Sequence, residues 1–401
     1  KLLPGHFLVF DKTVTVAPYW SVQVKESKKS QSELESEFKK LFDFSVKEKL
    51  VSDVPIGAFL SGGLDSSAVV ATMSKFLDKP VKTFTVGFGM EGDEFKYAKN
   101  IAQKFGTDHS EVVVELKEMT NVLPKLIWNM DEPISDIAFL PVYFLTKKAR
   151  QKITVALLGE GSDELFAGYK RYGQTVGPLK FLPPNFRALS YLNQDIAFRE
   201  NERKKVLVKR FHEAIPIEQA AAKEFFSDKK SFLNQALFFD TKELLPNYQL
   251  ARVDRVTMSC GLEARVPFLD RRLAEFAFSL PEKMKINGDR GKFIVKRAFE
   301  GVLPKELLTE KKRIFFIQVK KWFDDSFGEV AKQLLDEKHV AKRGIFDYSE
   351  VKKKFESQQK GLFQGRNSNQ LLMLAMLEIW FQTFIDRQQI PYGGLKLNQL
   401  E

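Results

Sequence analysis

The sequence predicts an α/β fold, a buried parallel sheet completed by a mostly helical carboxy-terminal portion, on three observations. Between about residues 50 and 175, short and nearly all-apolar runs alternate with helical patterns. Those runs lack a polar face, so both sides of the strands must be covered, as in a parallel sheet flanked by helices. Beyond about residue 175 the strand signals fade, and stretches such as "LEIWFQTFID" and "KKWFDDSFGEVAKQLLDE" carry apolar residues at helical spacing.

Taken in order, "HFLVFDKTVTVAPYW" reads as two short strands around "DK", a hairpin with no core of its own. The chain begins at Lys1 without an initiator methionine, so residues 1–24 are expected to be the remainder of an upstream domain. "KESKKSQSELE", residues 25–35, is polar enough to be a linker running into a helix. Then come the pairs that define the core. The strand "VPIGAFL" precedes the helical "SSAVVATMSKFL", and "VKTFTVGF" precedes "DEFKYAKNIAQKFG". "SEVVVEL" is followed by helices, and "KITVALLG" by "SDELFAGYKRY". The expected main domain runs over residues 36–390, with its α/β core at about 50–175 and a tail at 391–401.

Composition narrows the function. A chain of 401 residues with 44% hydrophobic content can bury a large core. No run reaches eighteen apolar residues and the first residues lack a signal-peptide layout, so no membrane role and a cytoplasmic location are expected. One cysteine, Cys260, supports neither a disulfide framework nor a cysteine-ligated zinc site, and the four histidines have no metal-ligand spacing. The charge of +11 comes from dispersed lysines, which suit solubility or an anionic small molecule better than the clustered stripe of a nucleic-acid binder.

The sharpest local signal is "FLSGGLDSSAVVA", residues 59–71, where a buried strand ends and a helix begins. At that junction unpaired helix N–H groups meet anions. Gly62 and Gly63 allow close backbone approach, and Ser61, Ser66 and Ser67 add hydroxyl donors, so the stretch reads as a phosphate cradle. It is not the G-x-x-x-x-G-K-[ST] loop, because no lysine follows in frame. Asp65 would repel phosphates unless a divalent cation stood between them, which implies magnesium. A second cluster, "LLGEGSDELFAGY", places Glu160, Asp163 and Glu164 after the strand "KITVALL", facing the same crevice. Asp163 is positioned to share the metal with Asp65; the plainer alternative, strongest for Glu164, is that these acids cap the following helix.

Here the sequence resembles a family. "SGGLDSS" is similar to the pyrophosphate-binding loop of ATP pyrophosphatases, the adenine nucleotide alpha hydrolase-like fold. Together with "GEGSDELFAGYKRY" and "GLEARVPFLDRRLAEFAFSLP" it resembles the synthetase part of glutamine-dependent asparagine synthetases. "TFTVGF", "DEP", "RGKFIVKRAF", "LPKELLTEKKRIFF" and "LLMLAMLEIWFQTF" follow in the expected order. The resemblance implies ATP and Mg2+ as cofactors, aspartate and ammonia as substrates, a glutaminase domain fused upstream, and allows a homodimer. In that chemistry a carboxylate attacks the α-phosphorus of ATP, pyrophosphate leaves, and ammonia displaces AMP from the acyl-adenylate. By resemblance Glu160 is the candidate general base and Lys312 the lysine brought to the reaction centre, while Leu60, Leu64, Val86, Leu158 and Gly159 join the loop residues along the nucleotide.

Three positions depart from the family pattern: Leu158 where Ser or Thr is usual, Ile314 where glycine is usual, and Ala138 in the D-x-S-x-x-P neighbourhood. They bear on the acceptor carboxylate more than on adenylation, so another carboxylate is the alternative to aspartate. A transfer-RNA-modifying adenylating enzyme would share the loop and is the alternative of another class. The glutaminase of the family uses an amino-terminal cysteine, and Cys260 lies far from the start, so this chain is not expected to hydrolyse glutamine.

Overall fold

A computed structural model describes residues 1–22, 25–89, 93–194, 196–213, 217–226, 231–288, 290–309, 319–359, 364–387 and 394–400. Its centre is a five-stranded, all-parallel sheet in the order β5-β4-β3-β6-β7. The strands are β3 (Ile56–Phe59), β4 (Lys82–Gly87), β5 (Asp108–Val113), β6 (Val155–Leu157) and β7 (Glu263–Arg265). From β3 the chain winds outward through β4 and β5, then returns to place β6 on the other side of β3. The order therefore reverses between β3 and β6, where open parallel sheets leave a crevice at the strands' carboxyl ends.

The apolar runs divide as a period of two requires. In β3, Ala58 faces one core and Phe59 the other; in β6, Val155 and Leu157 join the first and Ala156 the second. On the first face lie α1 (Gln31–Lys49), α2 (Leu64–Phe76) and α3 (Phe95–Phe105), with helices from the 268–308 region. The second face is covered by α4 (Leu116–Met130), α5 (Phe139–Ala149) and the carboxy-terminal helices, including Gln364–Phe384. Two cores on opposite faces explain why the strands carry no polar side.

Helix α1 begins at Gln31, inside the polar stretch 25–35, because Ser30 and Glu33 form a reciprocal capping box. The two amino-terminal strands, β1 (His6–Asp11) and β2 (Thr13–Pro18), form the expected hairpin, with Lys12 at the turn in the left-handed region. Phe7, Val9, Phe10, Val14 and Val16 are exposed on it, and Trp20 ties its base to the domain through Nε1 and Glu275 Oε1 at 2.8 Å.

Two features differ from the sequence reading. The edge strand β7 was not anticipated: "EAR" is three residues with no apolar run, and it pairs because Leu158 N–H donates to the Arg265 carbonyl at 2.8 Å beyond the ladder with β6. "SDELFAGYKRY" is two helices rather than one, α6 (Ser162–Phe166) and α7 (Lys170–Val176). The break falls at Ala167, in the left-handed region at φ 58°, and Gly168. A Cβ on Gly168 would stand 1.9 Å from Asp163 Oδ1 and 2.1 Å from Lys292 Cε, so the kink leaves room for a lysine from elsewhere. Among the described residues no helix is long and apolar enough to cross a membrane.

Candidate active site

The first wall of the crevice is the turn between β3 and α2. Leu60 still belongs to the sheet: its N–H donates to the Phe84 carbonyl at 2.8 Å and its carbonyl accepts from Thr85 Oγ1. Gly62 turns the chain at φ 71°, and a Cβ there would lie 2.5 Å from the Ala98 nitrogen on α3. The hydroxyls of Ser61 and Ser66 lie 3.0 Å apart and close the loop on itself, with Ser61 N–H donating to Ser66 Oγ and Gly63 N–H to Ser61 Oγ, both at 3.2 Å. Ser67 is fully buried, so its hydroxyl packs behind the loop instead of lining it. Gly63 is the Ncap of α2 and among the described residues no side-chain hydrogen bond caps it, so the first turn, with Leu64 and Asp65, opens on the crevice with its amides available to an anion.

The second wall is the end of β6. Leu158 is buried in the same core as Val86, Val253 and Val256. At Gly159 a Cβ would sit 2.8 Å from Asp65 Cβ, so the end of β6 packs directly against the first turn of α2. Glu160 occupies the turn, and Gly161, at φ 87°, leads into α6, which carries Asp163 and Glu164 in its first turn.

What joins the walls is a residue the sequence did not single out. Lys292 Nζ lies 2.5 Å from Asp65 Oδ2 and 2.8 Å from Asp163 Oδ1, with its side chain 6% exposed. Burial works against its charge, but Asp163 and then Asp65 outweigh that and hold its pKa above the usual lysine value. Two carboxylates from the first turns of α2 and α6 thus converge on one buried cation. Asp65 Oδ1, buried as well, has no hydrogen-bond partner among the described residues. This donor set fits magnesium, which binds through one or two carboxylates and completes its shell with water and phosphate oxygens. No group of three or more His, Cys, Asp or Glu side chains that could hold a metal on its own occurs among the described residues.

Glu164 turns away from this pair. It is 1% exposed, accepts from Tyr169 OH at 2.5 Å, and its pKa is raised by burial and by Asp163. Gln249 Nε2 donates to the same phenol oxygen at 2.8 Å. The Tyr169 pKa is in turn pushed up by burial, then by Glu164 and Asp163, and also by Glu160, which places Glu160 beside this network. Arg171 and Tyr172 anchor α7: Asp240, fully buried, accepts from Arg171 Nη2 at 2.7 Å, from Tyr191 OH at 2.7 Å and from Tyr172 OH.

Lys312 and Ile314 lie outside the described residues. Ala138 precedes α5, its N–H donating to Asp136 Oδ1 at 2.9 Å. Cys260 is partly buried, and burial raises its thiol pKa, the opposite of an activated nucleophile. Lys292 carried no local signal, being one basic residue among 63; only its place in "RGKFIVKRAF" distinguished it.

The family model for asparagine synthase matches residues 37–382. The chain is similar to asparagine synthetase [glutamine-hydrolyzing] 1 of Bacillus subtilis (strain 168), at 28% identity, covering 98% of this chain and 66% of that protein. It is similar at 28% identity to a putative asparagine synthetase [glutamine-hydrolyzing] of Mycobacterium tuberculosis (H37Rv), covering 86% and 57% respectively. With the asparagine synthetase [glutamine-hydrolyzing] of Bos taurus it shares 30% identity over 70% of this chain and 43% of that protein. The chain therefore spans less than two thirds of the length of these relatives.

Proposed function

Because the chain belongs to the asparagine synthase family, we propose that it is the ATP-dependent synthetase unit of a cytoplasmic asparagine-forming ligase, joining ammonia to the side-chain carboxylate of aspartate. The observation that carries this reading is the convergence of Asp65 and Asp163 on one cation at the open amino terminus of α2. That arrangement suits the β- and γ-phosphates of ATP as a leaving group: backbone amides and Lys292 offer positive charge, and the acids hold a divalent ion. Bound magnesium, held by Asp65 and Asp163, supplies charge neutralisation for the departing pyrophosphate.

The reaction has two steps. An aspartate side-chain oxygen attacks the α-phosphorus; a new P–O bond forms, the bond to the β-phosphate oxygen breaks, and pyrophosphate leaves into the α2 turn. Ammonia then attacks the acyl carbon, the bond to AMP breaks, and the nitrogen loses a proton. Glu160, in the turn between β6 and α6, is assigned as the base that accepts that proton. Lys312 is assigned to the developing phosphate charge on its sequence motif.

The test is ATP–pyrophosphate exchange across a panel of carboxylic acids, followed by product analysis with ammonium and with ammonia-free glutamine. Aspartate-dependent exchange, with AMP and pyrophosphate formed one for one with amide and ammonium as the usable donor, is expected. ADP and orthophosphate as primary products would overturn the reading.

A further inference from the structure

One acid of the crevice takes no part in the reaction as described. Glu164 is buried beside Asp163, yet it faces the other way and accepts from Tyr169 OH at 2.5 Å. That bond reaches across the break between α6 and α7, joining residues five apart on either side of Ala167. The Tyr169 ring lies 4.8 Å from the Arg171 guanidinium, whose Nε donates to Tyr191 OH at 3.0 Å and whose Nη2 donates to Asp240 Oδ2 at 2.7 Å. Tyr172 and Tyr191 flank the same guanidinium at 5.4 and 5.7 Å, and both hydroxyls donate to Asp240. Residues Asp240–Leu250 form a π-helical stretch that accommodates Pro246, which has no N–H to give. Both ends of this stretch close on Tyr169: Asp240 through Arg171, and Gln249 directly, from Nε2 to the phenol oxygen at 2.8 Å.

A contiguous chain of contacts, Asp240–Arg171–Tyr169–Glu164, therefore ends one residue from Asp163. Stability alone does not explain it, because replacing a buried ion pair by packed apolar groups is often neutral or stabilising. Its position supplies a task. Helix α6 has five residues, too few to hold a helix by its own hydrogen bonds, and it ends on Ala167 in a left-handed conformation that an alanine disfavours. The direction in which Asp163 points must then be set from outside the helix. Lys292 does not set it alone, because the segment that carries it rests on the same break. Its N–H donates to the Phe166 carbonyl at 2.9 Å, and a Cβ on Gly291 would stand 1.9 Å from the Ala167 carbonyl oxygen. Glu164 and Tyr169 are the two ends of a staple over that break, and the fully buried Asp240 fixes the staple to the body of the domain. Burial, and then Asp240 itself, hold the Tyr172 and Tyr191 hydroxyls well above the ordinary tyrosine pKa, so they stay protonated and keep donating.

We propose that Tyr169 and Arg171 are positioning residues for the acid on the phosphate side of the site. Asp240 fixes Arg171, Arg171 fixes the Tyr169 ring, and the Tyr169 hydroxyl, through Glu164, aims Asp163 at Lys292 and at the magnesium it holds. Both residues act through Asp163 and need no contact with a substrate. The assignment rests on the adenylation reading for the use made of Asp163, but the aim of Asp163 shows in magnesium pyrophosphate binding without acceptor acid or catalysis.

Two measurements, each on protein checked by its thermal midpoint, separate this role from a structural one. In the first, magnesium pyrophosphate is titrated calorimetrically into the full chain without ATP. In the second, aspartate-dependent pyrophosphate exchange is followed as magnesium is varied. Y169F deletes only the hydroxyl and keeps the ring against Arg171. Groups that orient a metal ligand from behind contribute about 10- to 100-fold in metal affinity, so Y169F is expected to weaken magnesium pyrophosphate by about tenfold. The magnesium needed for half-maximal exchange should rise by a similar factor, and the KM for aspartate should not move. R171K keeps the charge but loses the planar fork, so it should fall between the parent and R171M, and it carries the same test should Y169F fail to fold. In D163N, measured at raised magnesium, adding Y169F should change binding by less than about twofold, because the route ends at Asp163. A Y169F protein with a lowered midpoint but the parent's magnesium dependence and pyrophosphate affinity overturns the proposal and leaves adenylation standing. So does a loss confined to the KM for aspartate, or one that persists in full in D163N. A parent that binds no magnesium pyrophosphate overturns the proposal outright. Binding that Y169F weakens, in a protein that exchanges with no carboxylic acid, keeps the positioning role and removes the adenylation reading.

Discussion

Replacing Lys292 by methionine removes the one buried cation between Asp65 and Asp163 while nearly keeping its volume. In the parent the ammonium lies within 2.8 Å of both carboxylates and is almost wholly buried. Its loss leaves two acids facing each other with no counter-charge. Breaking a buried ion pair by deleting one partner costs about 3–5 kcal/mol, mostly the penalty for the charge left behind. For 401 residues the unfolding entropy is on the order of 0.8 kcal/mol/K, so the thermal midpoint should fall by roughly 4–6 °C if the chain unfolds as one unit. The loss should be conditional. Magnesium at millimolar concentration binds the uncompensated acids and stabilises the folded form by mass action, recovering part of the midpoint in K292M and little in the parent. In the K292M/D65N double variant the like-charge conflict is relieved, so this variant should be more stable than K292M alone. The assay is thermal unfolding with and without magnesium chloride. A K292M midpoint equal to the parent's, or one that ignores magnesium, would refute the reasoning.

The remaining expectations are narrower. D65N and D163N should each slow aspartate-dependent pyrophosphate exchange most at limiting magnesium, since each removes a charged oxygen while keeping shape; wild-type rates there would make the acids structural. E160Q should still form acyl-AMP but lose amide synthesis by about 10²–10⁴, and full recovery at saturating aspartate would exclude Glu160 as the base. Lys285 is fully buried, its Nζ bonded to Asn234 Oδ1 at 2.8 Å, and burial pushes its pKa from 10.5 down to about 7 against the opposing pull of Glu282 and Glu26. Between those values the unfolded chain holds the extra proton, so stability from this group rises with pH. The stability difference between K285M and the parent should therefore shift in the parent's favour from pH 7 to pH 10 in denaturant titrations; a constant difference would contradict it.

What could be read from the sequence was whatever the chain writes locally. The all-apolar runs from "VPIGAFL" to "KITVALL" announce a two-sided sheet because burial on both faces is a property of each strand by itself. The glycine and serine loop and the acids after β6 are legible because strand ends and helix starts have their own residue chemistry. The partners that complete the crevice are set by topology instead. Lys292 is 227 positions from Asp65, and Arg252 is 116 from Asp136, and nothing near either residue points to the acid it meets. β7 was hidden for the same reason: its three residues become a strand only because β6 leaves an open edge. Ala167 ends α6 in a left-handed conformation that a sequence would assign to glycine, and the adjacent Gly168 reveals its purpose only once the Lys292 side chain is in place.

The central claim is that the acceptor carboxylate attacks the α-phosphorus of ATP. It is tested most directly with aspartate carrying ¹⁸O in its side-chain carboxylate, incubated with ATP, magnesium and ammonium, and the products resolved by mass spectrometry. An acyl-adenylate route predicts that each amide formed delivers one labelled oxygen into the phosphate of AMP and none into pyrophosphate. Label recovered in orthophosphate beside ADP would contradict it.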